Sequence, residues 1–307
     1  MMVHYLPSMP VPLPTDRRAF LGKISQCAGV MALGRSLAAA PSGANQSLFD
    51  GRTLAGWTPR PRVPLPGPQG AKMPEVQLAR IVAHTGRWVV EDGAIVGGQE
   101  PPGSGLGAYL VSDATFRDFE LELEARPDWR VDTGIMIRAS AGGGVGIQVL
   151  CDHRPGGGIG GFYFNGTGGF LAAPFFLDGE VDEAKSLKRL VPSQREQKQP
   201  AVPVDSGCDV NDFLAKWRVN EWNHFRIRCV GELPRLTTWV NGVKVAELDL
   251  AKLKHDLWKP ERVRKAIAAP GHIAFEVHNN GPQDLFGEDR WAKGAVCRWR
   301  NIHVKEL

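Results

Sequence analysis

Cysteine is scarce in this chain, five in 307 residues, and no two stand in a Cys-x-x-Cys spacing. That argues against a thiolate zinc site. It leaves open whether Cys151, Cys208, Cys229 and Cys297 form no, one or two disulfides in an oxidising compartment. Long apolar runs are missing too: the stretch from Ile24 to Leu33 is roughly half of the ~20 residues a bilayer span needs, so no membrane anchor is expected. There is no internal repeat, no glycine-rich phosphate loop opening a helix and no Gly-x-Ser-x-Gly nucleophile elbow. Charge of one sign is also lacking. The formal net charge is +4, and residues 1–40 hold Arg17, Arg18, Lys23 and Arg35 against Asp16, so the remainder carries +4 − 3 = +1. A near-neutral domain without a basic, aromatic-interleaved patch gives no case for nucleic acid.

What is present points to β-structure. Thirty-six glycines, 23 prolines and nine tryptophans surround short Val, Ile and Phe runs, the composition of an all-β protein. The first forty residues differ. Arg17-Arg18, the modest apolar stretch Ile24 to Leu33 and Ala38-Ala39-Ala40 read as a twin-arginine export signal. Pro41 disfavours cleavage after Ala40, so residues 1–44 are taken as signal and residues 45–307 as the domain, periplasmic or secreted. Cys27 follows Gln26 rather than a small residue, which argues against lipid attachment.

Strands then come at the spacing of a sandwich. Arg87 to Gly98 carries Asp92-Gly93 between apolar runs, and Leu236 to Ala246 carries Asn241-Gly242, both signals for two-residue hairpins. Asp118 to Glu124 alternates three apolar side chains with glutamates whose default is exposure. The proline-rich segment Pro59 to Pro74 reads as a surface excursion. Phe170 to Val219 breaks the strand rhythm, with a charged segment Asp182 to Leu190 compatible with a helix, and is expected to be a long inserted loop over about 170–219.

The most informative stretch is Gly271 to Gly281. A strand period of two puts Ile273, Phe275 and Val277 on a core face and His272, Ala274, Glu276 and His278 on the other. Neighbours on that face stand about 6 to 7 Å apart. The same alternation turns Arg138 outward in Gly134 to Arg138, and Gln148 and Asp152 outward in Gly146 to Asp152, so these residues are expected to converge with Glu276 and His278 on one surface. A neutral imidazole at His278 can serve as base or ligand near neutral pH. Glu276 can act as acid or base, or pair with Arg138. His153 follows Asp152 at the strand end. Asp132, in the loop before Gly134, reads first as a turn residue. Trp129, Trp217 and Trp291 flank strand ends, where an indole can stack on a sugar ring or anchor the core.

The ordered boxes Leu48-Phe49-Asp50-Gly51 to Trp57, Trp88 with Glu91-Asp92-Gly93, Asp118-Phe119-Glu120-Leu121, Thr133-Gly134-Ile135 to Arg138, Glu221-Trp222-Asn223, Val240-Asn241-Gly242, Gly271-His272-Ile273 to His278, and Arg300-Asn301-Ile302 resemble the bacterial 3-keto-disaccharide hydrolase family over about residues 48–307. The resemblance implies a concanavalin A-like jelly roll of two antiparallel sheets with a sugar groove on one outer face. It also implies hydrolysis of glycosides already oxidised to a ketone at C3. Such a ketone acidifies the C2 proton, so a base can remove it and the C1 substituent can leave, with water adding afterwards. Under that reading His278 and Glu276 are the catalytic candidates, and Arg138, Gln148, Asp152 and His153 the substrate-binding ones. The partner is a carbohydrate, and a divalent cation (Ca²⁺, Mg²⁺ or Zn²⁺) is a candidate enolate stabiliser. The chain departs from the family pattern at Glu276, where Gln is commoner, at Gly146, where Glu is common, and in its longer insertion. A non-catalytic carbohydrate-binding module of the same fold, or a laminin-like adhesion domain, are the competing readings.

Overall fold

Alternating apolar side chains need a second apolar face to cover them, and the chain supplies two sheets. The computed structural model describes residues 43–64, 73–197, 199–267, 269–280 and 290–307. The larger sheet runs in the order Ser206–Gly207, Val243–Asp249, Arg235–Val240, Asn223–Val230, Phe119–Pro127, Val296–Glu306, Ala94–Gly98, Arg87–Glu91, with Asn45–Ser47 also paired to Val296–Glu306. The smaller runs Leu171–Ala172, Ile159–Asn165, Gly146–Cys151, Gly134–Ala139, Gly271–Val277, Ala108–Phe116, Trp57–Pro61. All pairings within the two sheets are antiparallel. The result is the jelly-roll sandwich of two antiparallel sheets expected from the resemblance. Residues 1–42 of the expected export signal lie outside the described residues. Among the described residues no helix is long and apolar enough to cross a membrane.

Aromatic side chains join the sheets. Trp57 stacks on Phe275 at 5.1 Å, Phe275 on Trp299 at 4.7 Å, and Trp299 meets Trp88 at 5.9 Å. Phe275, Trp299 and the flanking Ile273 and Val277 exclude solvent entirely, and each such side chain contributes roughly 1.5–3 kcal/mol by leaving water. The core face of Gly271–Val277 is therefore the one its alternation predicts, and its other face looks away from the core. Both two-residue hairpins are also as read. Asp92 and Gly93 have φ of 50° and 73°, Asn241 and Gly242 of 47° and 84°, the paired positive values that a type I′ turn demands. The glutamates of Phe119–Pro127 lie on the outer face of the larger sheet, where Glu124 meets Arg300 at 2.7 Å and Glu122 meets His224 at 3.3 Å.

Two expectations change, and one open alternative closes. The insertion is not a plain loop: Leu177–Val181 and Leu187–Pro192 form a two-stranded sheet, so the segment Asp182 to Leu190 is a turn and strand rather than a helix. Leu171–Ala172 extends the smaller sheet, Ser206–Gly207 extends the larger, and the short helix Val210–Leu214 is capped by Asp209, which accepts from Asn211 N at 2.7 Å. Trp57–Pro61, which overlaps the start of the supposed proline-rich excursion at Pro59, is an edge strand, a place that tolerates proline because its outer N–H positions need no partner. Cys151, Cys208, Cys229 and Cys297 are free thiols, so none of the disulfides the spacing allows is formed.

Candidate active site

A cavity of about 1120 Å³ covers the outer face of the smaller sheet. Its floor comes from positions opposite the core: Tyr109 beside buried Leu110, Gln148 between Ile147 and Val149, and Tyr163 between Phe162 and Phe164. Asp132, Asp152, Arg62, Arg154, Arg290 and His278 line it from the strand ends and loops. The insertion supplies Arg195, Glu196, Gln197 and Gln199, and the helix Pro260–Ile267 supplies Arg262.

Glu276 lies beneath this floor, buried completely, with both oxygens engaged. Oε1 meets Arg62 Nε at 2.6 Å and accepts from the Tyr109 hydroxyl at 3.2 Å; Oε2 accepts from Gln148 Nε2. Arg62 also donates to Asn279 Oδ1, and Asn165 donates to the Tyr109 oxygen at 3.4 Å. Burial pushes the Glu276 carboxyl up, with Arg62 opposing and Asp132 adding to the rise. A carboxyl with three donors below the cavity wall is placed to position Arg62, Tyr109 and Gln148, and its ion partner is Arg62, not Arg138.

His278 follows the same strand and faces the cavity, with Nε2 3.9 Å from Asp132 Oδ2. Its Nδ1 is 2.6 Å from the Asn279 carbonyl oxygen. A carbonyl only accepts, so Nδ1 carries the proton and Nε2 is the basic nitrogen of the neutral ring. Burial, with Arg62 and Arg290 nearby, holds the ring well below the ordinary histidine value, against the pull of Asp132. Gln99 fixes the local backbone by donating to the His278 carbonyl at 3.0 Å.

Asp132 is the electrostatic centre. Arg154 Nε stands 3.2 Å from its Oδ2, and Arg290 donates to the same oxygen. Burial alone would raise its pKa; His278, Arg154 and Arg290 outweigh that and hold the carboxyl well below the usual range. Asp152 is the reverse case. Burial and the neighbouring Asp132 charge push it well up, with Arg154 only partly opposing.

Of the residues expected to converge, Gln148, Asp152 and His278 line the cavity and Glu276 supports it. Arg138 does not reach it. Its guanidinium donates to the carbonyls of Arg117 at 2.8 Å, Gly231 at 2.8 Å and Ile267 at 3.2 Å, and meets Asp118 at 2.9 Å. The cause is a bulge. His272 pairs with Ala139 and Ala274 with Met136, so three steps on one strand face two on the other and the alternation inverts before Arg138. Arg138 has φ 48°, and a Cβ on Gly271 would sit 2.5 Å from its carbonyl carbon, so only glycine lets the two backbones approach. His153 also turns away: its Nδ1 is 2.9 Å from the Asp128 carbonyl and its ring packs against Trp129 and Trp217 at 5.3 and 5.7 Å. Trp129, Trp217 and Trp291 form none of the cavity wall; Trp291 is buried and donates to the Ala295 carbonyl at 2.8 Å.

The donor set does not fit a resident divalent cation. Among the described residues no three His, Cys, Asp or Glu side chains gather as ligands. Guanidinium groups hold the positions beside Asp132 and Glu276 that a cation would need.

Fold and site together define a two-sheet jelly roll with a polar cavity on one outer face. Residues 44–305 match the 3-keto-alpha-glucoside-1,2-lyase-like domain, and the chain belongs to that family. No curated protein matches it. Among solved structures, two from Parabacteroides distasonis provisionally named glycosyl hydrolases are similar. One is 15% identical with TM-score 0.41 over 86% of this chain and 94% of its own; the other is 17% identical with TM-score 0.37 over 82% and 99%. A carbohydrate-binding module from Bacillus subtilis is 12% identical, TM-score 0.34, over 72% and 91%.

Proposed function

We propose that the protein cleaves glycosides oxidised at C3, by elimination across C1 and C2 followed by hydration. The observation that carries this reading is His278 facing the cavity with Nε2 3.9 Å from Asp132, beside the guanidinium groups of Arg154 and Arg290 on the same carboxyl. Elimination needs a base for the C2 proton and positive charge for the enolate that forms on the C3 oxygen. His278 is placed to take the proton and to return it to C2 when water adds to C1. Arg154 and Arg290, already ordered by Asp132, are placed to hold the enolate oxygen without reorganising. The family's name for its domain supports the reaction class. Arg17-Arg18 and the residues after them support export of the protein through a twin-arginine route to the periplasm or beyond.

The test is release of the C1 substituent from a 3-keto-glycoside by the purified domain. Cleavage that disappears in His278→Ala is the expected result. Glycan binding without turnover by the wild type contradicts it and favours a carbohydrate-binding module.

A further inference from the structure

We propose that Asp152 is the proton donor to the departing C1 oxygen, held as a neutral acid by its buried place beside the Asp132 carboxylate. This rests on the elimination reading above and adds the group that reading leaves out, since an alkoxide expelled from C1 needs a proton.

The geometry of the pair is lopsided. Arg154 lies between the two carboxyl groups, 3.2 Å from Asp132 Oδ2 through Nε and 3.4 Å from Asp152 Oδ2 through Nη2. Arg290 and His278 stand against Asp132. Asp152 Oδ1 is buried with no hydrogen-bond partner among the described residues. An anionic oxygen in that position loses its water and gains no donor, whereas the oxygen of a carboxylic acid loses little. The two buried carboxyl groups share the one guanidinium of Arg154, and like charges so placed disfavour ionisation of both. Positive charge collects on Asp132, so the proton resides on Asp152. The groups facing Asp152 are Asp132, Arg154 and Arg290, and its chain neighbour Cys151 points to the core. Asp152 lines the cavity at the end of Gly146–Cys151, with its backbone N–H fixed to the Gly158 carbonyl at 2.9 Å.

The step balances. His278 removes the C2 proton, and the electron pair moves onto the C3 oxygen. As that enolate collapses, C1 and C2 form a double bond, the bond from C1 to the departing oxygen breaks, and Asp152 gives that oxygen its proton. In hydration the Asp152 carboxylate takes a proton from water as its oxygen bonds to C1, and His278 returns the first proton to C2. Both side chains end as they began.

The test uses two 3-keto-glycosides with different departing groups, a nitrophenolate and a simple alkyl alcohol. In Asp152→Asn, cleavage of the alkyl substrate is expected to fall on the order of 10²–10⁴-fold, the usual contribution of general acid catalysis. The nitrophenyl substrate, whose leaving group needs no proton, falls less than tenfold, and exchange of the C2 hydrogen persists. Equal losses on both substrates, or loss of C2 exchange, overturn the proposal. If the variant does not fold, the wild type alone decides: a rate nearly independent of leaving-group basicity supports the acid, and a steep dependence refutes it. A wild type that turns over neither substrate sinks the elimination reading instead. The infrared carbonyl band of a protonated carboxyl at neutral pH then tests the proton's location alone, and its absence overturns the proposal.

Discussion

Acid should destabilise this protein through His153, whose ring turns away from the cavity into Trp129 and Trp217. The ring is buried, its Nδ1 faces the Asp128 carbonyl, and its Nε2 has no hydrogen-bond partner among the described residues. Burial lowers its pKa from 6.5 to about 4, only partly opposed by Asp128. The folded value is the lower one, so between the two values the unfolded chain binds the extra proton, and stability falls as pH falls. With those two values the loss relative to neutral pH is about 2 kcal/mol at pH 5 and about 3 kcal/mol at pH 4. The substitution His153→Asn keeps a donor near the position of Nδ1 and introduces a side chain that cannot titrate. Urea unfolding of wild type and His153→Asn at pH 7, 5 and 4 isolates the effect, because every other titrating group is common to both. The wild type should lose about 3 kcal/mol more than the variant between pH 7 and pH 4. Parallel losses would refute the assignment of a buried neutral ring.

Two further substitutions test the architecture. A Cβ at Gly134 would stand 2.4 Å from Gln148 Cγ and Nε2, so Gly134→Ala should push Gln148 off Glu276. Cleavage should slow by about 10- to 100-fold, since misplacing a site group by 1 Å can cost that much, with a melting temperature that shows a folded protein. Arg138→Met leaves the carbonyls of Arg117, Gly231 and Ile267 without this donor and the Asp118 carboxylate without its ion partner. It should cost about 3–5 kcal/mol in denaturant unfolding and leave the cavity residues in place.

The parts of the fold that local rules control were legible. Alternation placed Ile273, Phe275 and Val277 in the core, and Asp92-Gly93 and Asn241-Gly242 marked their turns, because both signals depend only on neighbours in the chain. The site was legible where the strand was regular, at Gln148 and His278. It failed at Arg138, because a bulge inverts the alternation and nothing local announces it. Glu276 was found, but its role was not: whether a carboxylate reacts or supports depends on Arg62, 214 positions away. Arg62 itself was hidden in a proline-rich stretch that reads as loop. Asp132 looked like a turn residue because Arg154, Arg290 and His278, which give it its electrostatic weight, reach it from separate segments. For Tyr109, the position opposite buried Leu110 was the available signal.

The central claim is that His278 takes the C2 proton of a 3-keto-glycoside. In deuterated water the wild type should release the C1 substituent and yield a 3-keto sugar carrying deuterium at C2, and His278→Ala should do neither. Release of the sugar with its C2 hydrogen fully retained would contradict the account.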